Sequence, residues 1–571
     1  MSSTVLELKP DRLLLDSNFD GYRLSLEEIR ISRKELQAPV EKILLNSTQY
    51  SFLHAKLFGL HNHLFADRYD DFNSVYFVDK NRNVQKTYVD TLTNELVAPV
   101  TVFNVPPCRE PQSGDYNVTL HFANLTYAVL SDGMGMLYIL ETRDKKDDDY
   151  FESVFSTKPL DIDDQGFIIT DSLYHEERGE LHVLLLHIQD DTVDHFVSVI
   201  HWLTFKRMRE DSIWGQTALR RLKIKGEVQY LKLEQNCNNI YIVSDNEVRF
   251  EVNSEHPIRQ RTTDPRKVYS WYQSIDDITV KFKLPAEVEK DLIIVATESN
   301  HITVQYETQV LLTGKLFKTI DSNLTVWTLT GDVLEVVLNK SENSYWSDLV
   351  ETDKGGEHVL DSYAITTAND ILGNYSTDRD AVPQGGAVFN SQQIEECDYE
   401  QEKSETFRRI SGIVNTTTHK AYLGSYNIVL SPYLATNQSP AMGIRHDVDV
   451  CLWQPSVEND DFTIKHQGTL LAFGYVQASK QNRKFTTCSP NLEYAAISES
   501  SGHIFIYHQN KPVSSTELRH RSTGRHIGSM AQQKVFNLPN EDILGLFAND
   551  KHLFVLGETF ILTLYIGTVH E

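Results

Sequence analysis

The sequence predicts an all-β protein, in which a β-propeller of about seven blades is built from two flanking parts of the chain and an antiparallel β-sandwich is inserted between them. Three observations support this fold class. Short apolar runs alternate with polar turns along both flanks, which is typical of successive hairpins. The middle of the chain changes to strict apolar–polar alternation, which indicates strands with one buried face. A polar, glycine-containing segment then separates the middle from the second flank.

The hairpin pattern is clearest at residues 127–140, 240–252, 494–507 and 553–564. In each of these stretches, β-branched, aromatic and leucine side chains flank Gly, Asn, Asp or Glu at the turn. Gly, Asn and Asp tolerate the positive φ angles of tight turns. One hairpin supplies half of a four-stranded blade, and closing the blades into a ring leaves few strand edges exposed. The two flanks are therefore predicted to form blades.

The expected parts of the propeller are residues 1–262 and 393–571. Roughly 440 flanking residues would make about seven blades at roughly 40–45 residues each, and eight would also fit. The flanks have no constant period and no repeated Trp-Asp dipeptide. Two or three separate β-sandwiches therefore remain the alternative to a propeller.

The predicted sandwich covers residues 264–353, and residues 354–392 form the predicted linker. Apolar and polar residues alternate through 278–284, and the same period of two returns at 334–338. About 90 residues of this kind suit a compact antiparallel sandwich. Inserting it between two blades costs little, because loop-closure entropy grows slowly with length.

The composition narrows the class of function. The 571 residues include 54 Lys and Arg against 80 Asp and Glu, a formal net charge of −26. This balance argues against direct binding of nucleic acid or of an anionic membrane surface. We find no signal peptide and no apolar stretch of membrane-spanning length. The five scattered cysteines do not form a disulfide framework and agree with an intracellular protein, which we expect to be a monomer.

The middle segment resembles a CS domain of the NudC type. Residues 269–273 match its opening Y-x-W-x-Q strand, and residues 278–285 match its next strand. The run from Gly314 to Val336 matches the glycine, Ile-Asp and tryptophan pattern that follows, and residues 346–349 match the closing W-x-x-L. The resemblance to the NudC family extends to both flanks, in runs at residues 13–26, 130–138, 395–398, 445–455 and 474–485.

This resemblance implies a propeller with an inserted CS domain, and a protein-interaction adaptor or co-chaperone rather than an enzyme. Members of the family are regarded as chaperone partners of the cytoplasm and nucleus. The implied partners are a heat-shock chaperone or its clients, and a DEAH-box RNA helicase. Because the chain is acidic, we expect any role in RNA biology to pass through such a protein partner. No cofactor is expected.

Four residues of the predicted sandwich are candidate partner contacts: Trp271, Gln273, Trp327 and Trp346. The three tryptophans are half of the six in the chain. They could form an aromatic contact for a chaperone or client. Core packing is the favoured alternative, because the alternation places each tryptophan among apolar neighbours and large aromatics dominate small cores.

A second set of candidates lies in the second flank: Arg445, His446, Asp447, Asp449 and Trp453. Two carboxylates at i and i+2 share one face of a strand, and a neighbouring histidine could join them in a metal or acid–base site. A charged cluster that holds a blade turn is the simpler interpretation. A propeller enzyme with Asp447 and Asp449 in a central pocket, and a scaffold subunit without a chaperone link, are the alternative functions.

The sequence offers little support for nucleotide, nucleophilic or metal chemistry elsewhere in the chain. The chain has no G-x-x-x-x-G-K-S/T loop and no G-x-S-x-G elbow. His61, His63 and Asp67 could meet at a metal only if both histidines share a strand face, and no supporting second shell is visible in the sequence. The basic stretch within residues 206–225 is interpreted as a solvated loop.

Overall fold

The chain divides into two compact units: Met1–Ile258 with Tyr399–Glu571, which we call the propeller unit, and Arg259–Asp398, which we call the sandwich unit. The computed structural model describes residues 3–16, 19, 21–46, 49, 51–107, 109–110, 112, 115–142, 150–159, 165–191, 195–207, 213–258, 269–284, 290–307, 309–330, 333–342, 344, 346, 348–350, 356–358, 405–424, 426–458, 461–473, 483–512, 519, 524, 529–539 and 541–567. The predicted linker, residues 354–392, lies outside the described residues except for 356–358.

The described residues are mostly strands. Those of the first flank are β1 (Thr4–Leu6), β2 (Tyr22–Leu24), β3 (Ile31–Glu35), β4 (Phe65–Ala66), β5 (Ser74–Val78), β6 (Asn83–Asp90), β7 (Glu95–Leu96), β8 (Val100–Asn104), β9 (Thr119–Phe122), β10 (Tyr127–Ser131), β11 (Leu137–Glu141), β12 (Glu152–Thr157), β13 (Ile168–His175), β14 (Glu180–Asp191), β15 (His195–Arg207), β16 (Trp214–Ile224), β17 (Val228–Leu233), β18 (Asn239–Ser244) and β19 (Val248–Asn253). The strands of the sandwich unit are β20 (Tyr269–Gln273), β21 (Asp277–Lys283), β22 (Ile293–Glu298), β23 (His301–Tyr306), β24 (Gln309–Lys315), β25 (Ile320–Thr330), β26 (Val333–Lys340) and β27 (Gly356–His358).

The second flank continues the propeller unit. Its strands are β28 (Thr406–Ser411), β29 (Thr416–Tyr422), β30 (Ile428–Leu430), β31 (Met442–His446), β32 (Asp449–Glu458), β33 (Asp461–Leu470), β34 (Arg483–Cys488), β35 (Tyr494–Glu499), β36 (His503–Pro512), β37 (Ser529–Asn537), β38 (Ile543–Ala548), β39 (His552–Gly557) and β40 (Phe560–Tyr565). Short 3-10 helices lie at Arg12–Leu14, Arg68–Asp70 and Lys290–Leu292.

The described part of the chain has one α-helix, α1 (Phe52–Gly59). It begins where the Ser51 hydroxyl accepts a hydrogen bond from the backbone N–H of His54, at 3.2 Å, and so caps the first turn. With eight residues it is too short to cross a bilayer, and no other described helix is longer.

The described strands of the propeller unit form seven sheets, which we call blades 1 to 7. They are blade 1 (β4 to β8), blade 2 (β9 to β12), blade 3 (β13 to β16 with β19), blade 4 (β17, β18, β28 and β29 with β1), blade 5 (β30 to β33), blade 6 (β34 to β37 with β2) and blade 7 (β38 to β40 with β3). This order confirms the predicted all-β propeller, with seven blades rather than eight among the described strands.

A buried apolar cluster lies between each pair of consecutive blades. A seventh cluster joins the last blade to the first: Val75 and Phe77 of blade 1 pack with Phe554 and Ile561 of blade 7. Most blades therefore bury both faces of their central strands. This explains why the flanks show continuous apolar runs, such as the fully buried β5 and β10, rather than alternation.

The N-terminal segment completes the ring. Strand β3 pairs antiparallel with β40, so the chain start supplies the fourth strand of the last blade. The segment then crosses to blade 1: the Val40 N–H donates to the Glu558 carbonyl at 2.8 Å, and the Glu41 N–H donates to the Val78 carbonyl at 2.9 Å. Upstream, β1 and β2 pair in parallel with the outer strands of blades 4 and 6 and cover their edges.

The sandwich unit interrupts blade 4. The chain leaves that blade after β18, adds β19 to the edge of blade 3, and returns as β28, which pairs with β18. The expectation that the insertion lies between two blades is therefore wrong, because it separates the second and third strands of one blade. A local hairpin pattern cannot show this, since β17 and β18 form the same hairpin wherever their next partner comes from.

The sandwich unit has two sheets, with strand orders β25-β26-β21-β20-β27 and β22-β23-β24. Strand β26 alternates buried and half-buried residues along its whole length, as its sequence predicts. Val280, Phe282 and Val336 of the first sheet are buried with Ile302 and Val304 of the second in one core. This confirms the predicted antiparallel sandwich.

The joint between blades 7 and 1 contains a buried carboxyl. Arg82 Nη1 lies 3.2 Å from Glu41 Oε1, and Arg82 Nη2 donates to the Asp132 carbonyl at 3.2 Å. Burial raises the pKa of Glu41 to about 6. The negative charges of Asp79 and Asp132 also raise this pKa, whereas the positive charge of Arg82 lowers it. The protonated form of Glu41 is therefore the one that the folded state favours.

We expect Glu41 to make the stability pH-dependent. Its folded pKa lies above the ordinary value, so its contribution is complete below about pH 4.5 and is lost as the pH rises through about 6. Glu41→Gln removes this loss and should raise the free energy of unfolding near pH 7 by about 2 kcal/mol, and by less than half of that near pH 5. Urea unfolding of the full chain between pH 5 and 7.5 measures this, with Glu28→Gln as the exposed control. Equal pH slopes for Glu41→Gln and the parent chain would contradict it.

Candidate interaction sites

Two of the three sandwich tryptophans are core residues. The side chains of Trp271 and Trp346 are 4% and 3% exposed and belong to the sandwich core. Trp327 lies on the edge strand β25, is half-buried, and packs against the same core. Lys290 Nζ lies 5.2 Å from the centre of its ring. The structure therefore leaves Trp327 as the tryptophan of this set with a partly accessible side chain.

Gln273 is buried and hydrogen-bonds to two other parts of the sandwich unit. Its Oε1 accepts hydrogen bonds from the Trp346 N–H at 2.8 Å and from Lys340 Nζ at 2.9 Å, and its Nε2 donates to the Trp346 carbonyl at 2.8 Å. Lys340 Nζ also donates to the carbonyls of Ser274 and Ser344, at 2.6 and 2.8 Å. These bonds fasten the segment that carries Trp346 to β20 and β26, so Gln273 has a structural role.

The outer face of the larger sheet carries an apolar row. Cross-strand pairing places Tyr272, Thr279, Val337 and Val326 side by side on β20, β21, β26 and β25. Val326 is 60% exposed, and Leu324 on the same edge strand is 57% exposed. We call Tyr272, Leu324, Val326 and Val337 the outer-face row.

An ion pair borders this row. Lys281 Nζ lies 3.1 Å from Glu335 Oε2 and 5.3 Å from the centre of the Tyr272 ring. Leu324 and Val326 are not among the partner contacts predicted from the sequence, although β25 carries a signal. Apolar residues occupy both alternating positions of that strand, which one buried face does not require.

The charged run in the second flank forms a hairpin turn. Asp447 has a φ of 54° between β31 and β32, and His446 pairs with Asp449. Asp449 Oδ1 accepts a hydrogen bond from the Ala472 N–H at 2.6 Å, which ties the turn to the end of β33. Burial raises the pKa of Asp449, and the charge of Asp447 adds to this. Arg445 is the last half-buried residue of β31 before the turn.

The remaining metal and catalytic candidates do not form a site among the described residues, although the ring centres of His61 and His63 lie 4.5 Å apart. Neither Asp447 nor Asp449 lines the central cavity, which contradicts a catalytic site built from them there. Asp67 Oδ1 caps the N–H of Tyr69 at 2.9 Å. Burial lowers the pKa of His61 to about 4 and that of His63 to about 2. Within the described residues, no three His, Cys, Asp or Glu side chains form a metal cluster.

Trp453 and the basic stretch are structural too. Trp453 is 4% exposed and belongs to the cluster between blades 4 and 5. In the basic stretch, Lys206 and Arg207 lie in β15 and residues 220–224 lie in β16, so its prediction as a loop is wrong for these residues. Residues 208 and 209 lie outside the described residues. Arg221 pairs with Glu251 at 3.0 Å, and Lys223 pairs with Asp191, so acidic side chains of neighbouring strands compensate these charges.

The propeller unit encloses a central cavity of about 900 Å³. The first strand of each blade contributes to its wall, as Phe65, Leu120, Ile168, Val228 and Ile428 show for blades 1 to 5. Helix α1 contributes a further part of the wall through residues 53–60. The ring therefore offers one concave site of a size typical for small-ligand pockets.

We expect the Gln273 contacts to stabilise the sandwich unit. Gln273→Leu leaves the buried N–H and carbonyl of Trp346 and one hydrogen of Lys340 without partners, which should cost about 3 kcal/mol. Amide hydrogen exchange of the full chain should then be on the order of a hundredfold faster in β20, β21 and β26. Ser270→Ala, on the outer face of the same strand, is the control. Unchanged exchange in Gln273→Leu would show that these bonds do not stabilise the unit.

Comparison with known proteins identifies the family. The CS domain model matches residues 267–340, within the sandwich unit. NudC domain-containing protein 1 of Mus musculus is 32% identical over 590 residues, which cover 100% of both chains. The protein of that name from Xenopus tropicalis is 33% identical over 583 residues, which cover 97% of this chain and 98% of the relative.

A similarity to a solved propeller accompanies these matches. The β-propeller domain of Cps50 (Swd1) from Myceliophteria thermophila covers 94% of this chain and 100% of its own, with 7% identity and a TM-score of 0.34. The propeller assignment depends on the sheet order of this chain, and the family depends on the full-length relatives. With 32–33% identity along the whole chain and a CS domain in the sandwich unit, the chain belongs to the family of NudC domain-containing protein 1.

Proposed function

We propose that this chain is a non-enzymatic adaptor that holds a partner protein on the outer-face row of its sandwich unit. Family membership and the CS domain support a co-chaperone or adaptor role of the NudC type. The observation that carries the finer proposal is the outer-face row, in which Leu324 and Val326 are more than half exposed. A face of this kind binds through apolar contact, with the Lys281–Glu335 pair at its border.

The edge strand adds a second mode of contact. Within the described residues, β25 pairs only with β26, so its other side presents unpaired backbone groups next to Val326. An extended segment of a partner can add a strand there and place apolar side chains on the row. Exposed apolar segments are typical of chaperone clients, and this supports a heat-shock chaperone or its clients as partners.

The propeller unit is proposed as the second docking surface, for a DEAH-box RNA helicase. Two sites on one chain raise the effective concentration of a partner complex that contacts both. The net charge of −26 supports a role in RNA biology through this protein partner rather than through RNA. We propose that the protein acts as a monomer in the cytoplasm and nucleus.

The absence of catalysis is part of the proposal. Among the described residues that line the central cavity there is a single carboxylate, Glu227, and both of its oxygens lie 2.6 Å from Lys56 Nζ. A carboxylate held in this way is a poor general base. An activity screen of the purified chain, with and without a chelator, tests this, and turnover that Asp447→Ala abolishes would favour the enzyme alternative.

We expect the outer-face row to carry partner binding. The double variant Leu324→Asp and Val326→Asp places a charge on both exposed apolar residues. In affinity purification from cells, this variant should recover less of the chaperone or client, by on the order of tenfold. Asn300→Asp, an exposed residue at the turn between β22 and β23, is the matched control. Both variants should unfold at the same temperature as the parent chain.

Deletion of residues 259–398 separates the two surfaces. The adaptor proposal expects this deletion to lose the chaperone or client and to keep the helicase. Recovery of the same partners with the double variant, the deletion and the intact chain would contradict the role of the sandwich and favour a scaffold that acts through its propeller. Recovery of no protein partner by the intact chain would contradict the adaptor function itself.

A further inference from the structure

The wall of the central cavity is basic in an acidic protein. Among the described residues that line it, Glu227 is the one carboxylate and five side chains are cationic: Lys56, Arg68, Lys232, Arg483 and Lys484. The chain as a whole has a net charge of −26. A low-dielectric wall with one sign of charge focuses the field inside the cavity and raises the local concentration of counter-ions.

Two of the five cations are neutralised in place. Lys56 Nζ lies 2.6 Å from both oxygens of Glu227. Lys484 Nζ lies 2.8 Å from Asp542 Oδ1. The other three cations of the wall are Arg68, Lys232 and Arg483, and the carboxylate of Asp171 acts on the first two.

Arg68 is a buried cation with an unused donor. Arg68 is only 4% exposed. Nη2 donates to the Tyr69 hydroxyl at 2.8 Å, and the guanidinium lies between the rings of Tyr69 and Tyr433, at 4.8 and 4.9 Å from their centres. Within the described residues, the buried Nε of Arg68 and the hydroxyl of Tyr433 have no hydrogen-bond partner. Buried donors without partners are costly, and a bound acceptor removes that cost.

Lys232 lies close enough to Arg68 for their charges to interact, and the carboxylate of Asp171 acts on both. One oxygen of Asp171 is engaged, because Oδ2 accepts the Leu233 N–H at 2.7 Å. The buried Oδ1 lies 3.2 Å from Nε2 of His121 and has no hydrogen-bond partner within the described residues. Lys232 Nζ donates to the neutral Thr170 carbonyl at 2.6 Å. Two cations thus face the cavity with one carboxylate behind them.

The ring of His121 is neutral, so it does not change the charge around Arg68 and Lys232. The Ser172 N–H donates to His121 Nδ1 at 3.1 Å, so the ring proton is on Nε2. Burial and the charges of Lys232 and Arg68 hold the pKa of His121 well below its usual value. The ring therefore stays neutral and presents an N–H towards Asp171.

Arg483 is the free cation of the cavity wall. It begins β34, lines the cavity and is exposed. The part of the chain that the structure describes gives it no ion pair. An exposed guanidinium of this kind can form two parallel hydrogen bonds to a carboxylate or phosphate group.

We propose that the central cavity binds a small polyvalent anion, with carboxylate or phosphate groups, whose anchor is the Arg68–Lys232 pair and whose charge is further attracted by Arg483. The cavity volume of about 900 Å³ is within the range of small-molecule sites. The ligand supplies the second negative charge that Arg68 and Lys232 lack, and an acceptor for Arg68 Nε. The apolar wall residues, such as Phe65 and Phe485, enclose its uncharged part.

Titration calorimetry of the full chain at low ionic strength tests this proposal, with citrate and pyrophosphate as probes. At least one probe should bind with one site per chain, and its affinity should fall as salt is added. Lys232→Met and Arg483→Gln should each weaken binding about tenfold, because each removes a charged contact. Binding of citrate alone would assign the site to carboxylates, and binding of pyrophosphate alone would assign it to phosphates.

Arg23→Gln, which removes an exposed arginine of β2 outside the cavity wall, is the matched control and should bind as the parent chain does. Thermal unfolding without a probe shows whether Lys232→Met is folded, and the exposed Arg483 provides the test that does not depend on it. Absence of binding at millimolar citrate and pyrophosphate overturns the proposal. So does equal weakening by Arg23→Gln and Arg483→Gln, because that result indicates nonspecific attraction to the surface.

Discussion

Closure of the ring is the constraint on which the propeller unit depends. Each blade buries its two faces against two neighbours, so the first and last blades stay half-covered until they meet. Residues 31–41 make that meeting possible: β3 completes blade 7, and the next residues hydrogen-bond to blades 7 and 1 in turn. Strands β3 and β40 lie far apart in the sequence, so the ring closes only when both are in place. Pairing of strands so far apart in the sequence raises the contact order of the propeller unit, which is a feature of slowly folding β proteins.

Insertion of the sandwich unit adds a second long-range requirement. Blade 4 needs β28 beside β18, although 161 residues separate the end of one from the start of the other. The entropy of closing such a loop grows only with the logarithm of its length, so a folded insert is tolerated. Arg409 of β28 contributes to the joint, since its Nε lies 2.6 Å from Glu234 Oε2 just after β17. The pair is buried on the Glu234 side, and it links the two halves of the interrupted blade.

What the sequence could predict follows from the range of each interaction. Hairpins such as β10–β11 are encoded by neighbouring residues, and the alternation of β26 marks the sandwich face directly. The position of the insert inside a blade depends on the β18–β28 pairing, which no local pattern contains. The same limit applied to the sites. Gln273 matches a family pattern, but its role depends on Trp346 and Lys340, which are 73 and 67 residues away.

The central cavity shows this limit most clearly. Arg68, Lys232 and Arg483 have no shared spacing and lie on three different blades or their connections, so no local pattern in the sequence places them around one cavity. Their meeting is a consequence of ring geometry, because the first strand of every blade faces the same central space. The overall acidity then has two different meanings for function. The net charge of the chain is negative, whereas the described wall of the cavity carries more cations than carboxylates, so a small anion inside the ring meets a local charge opposite in sign to that of the whole chain.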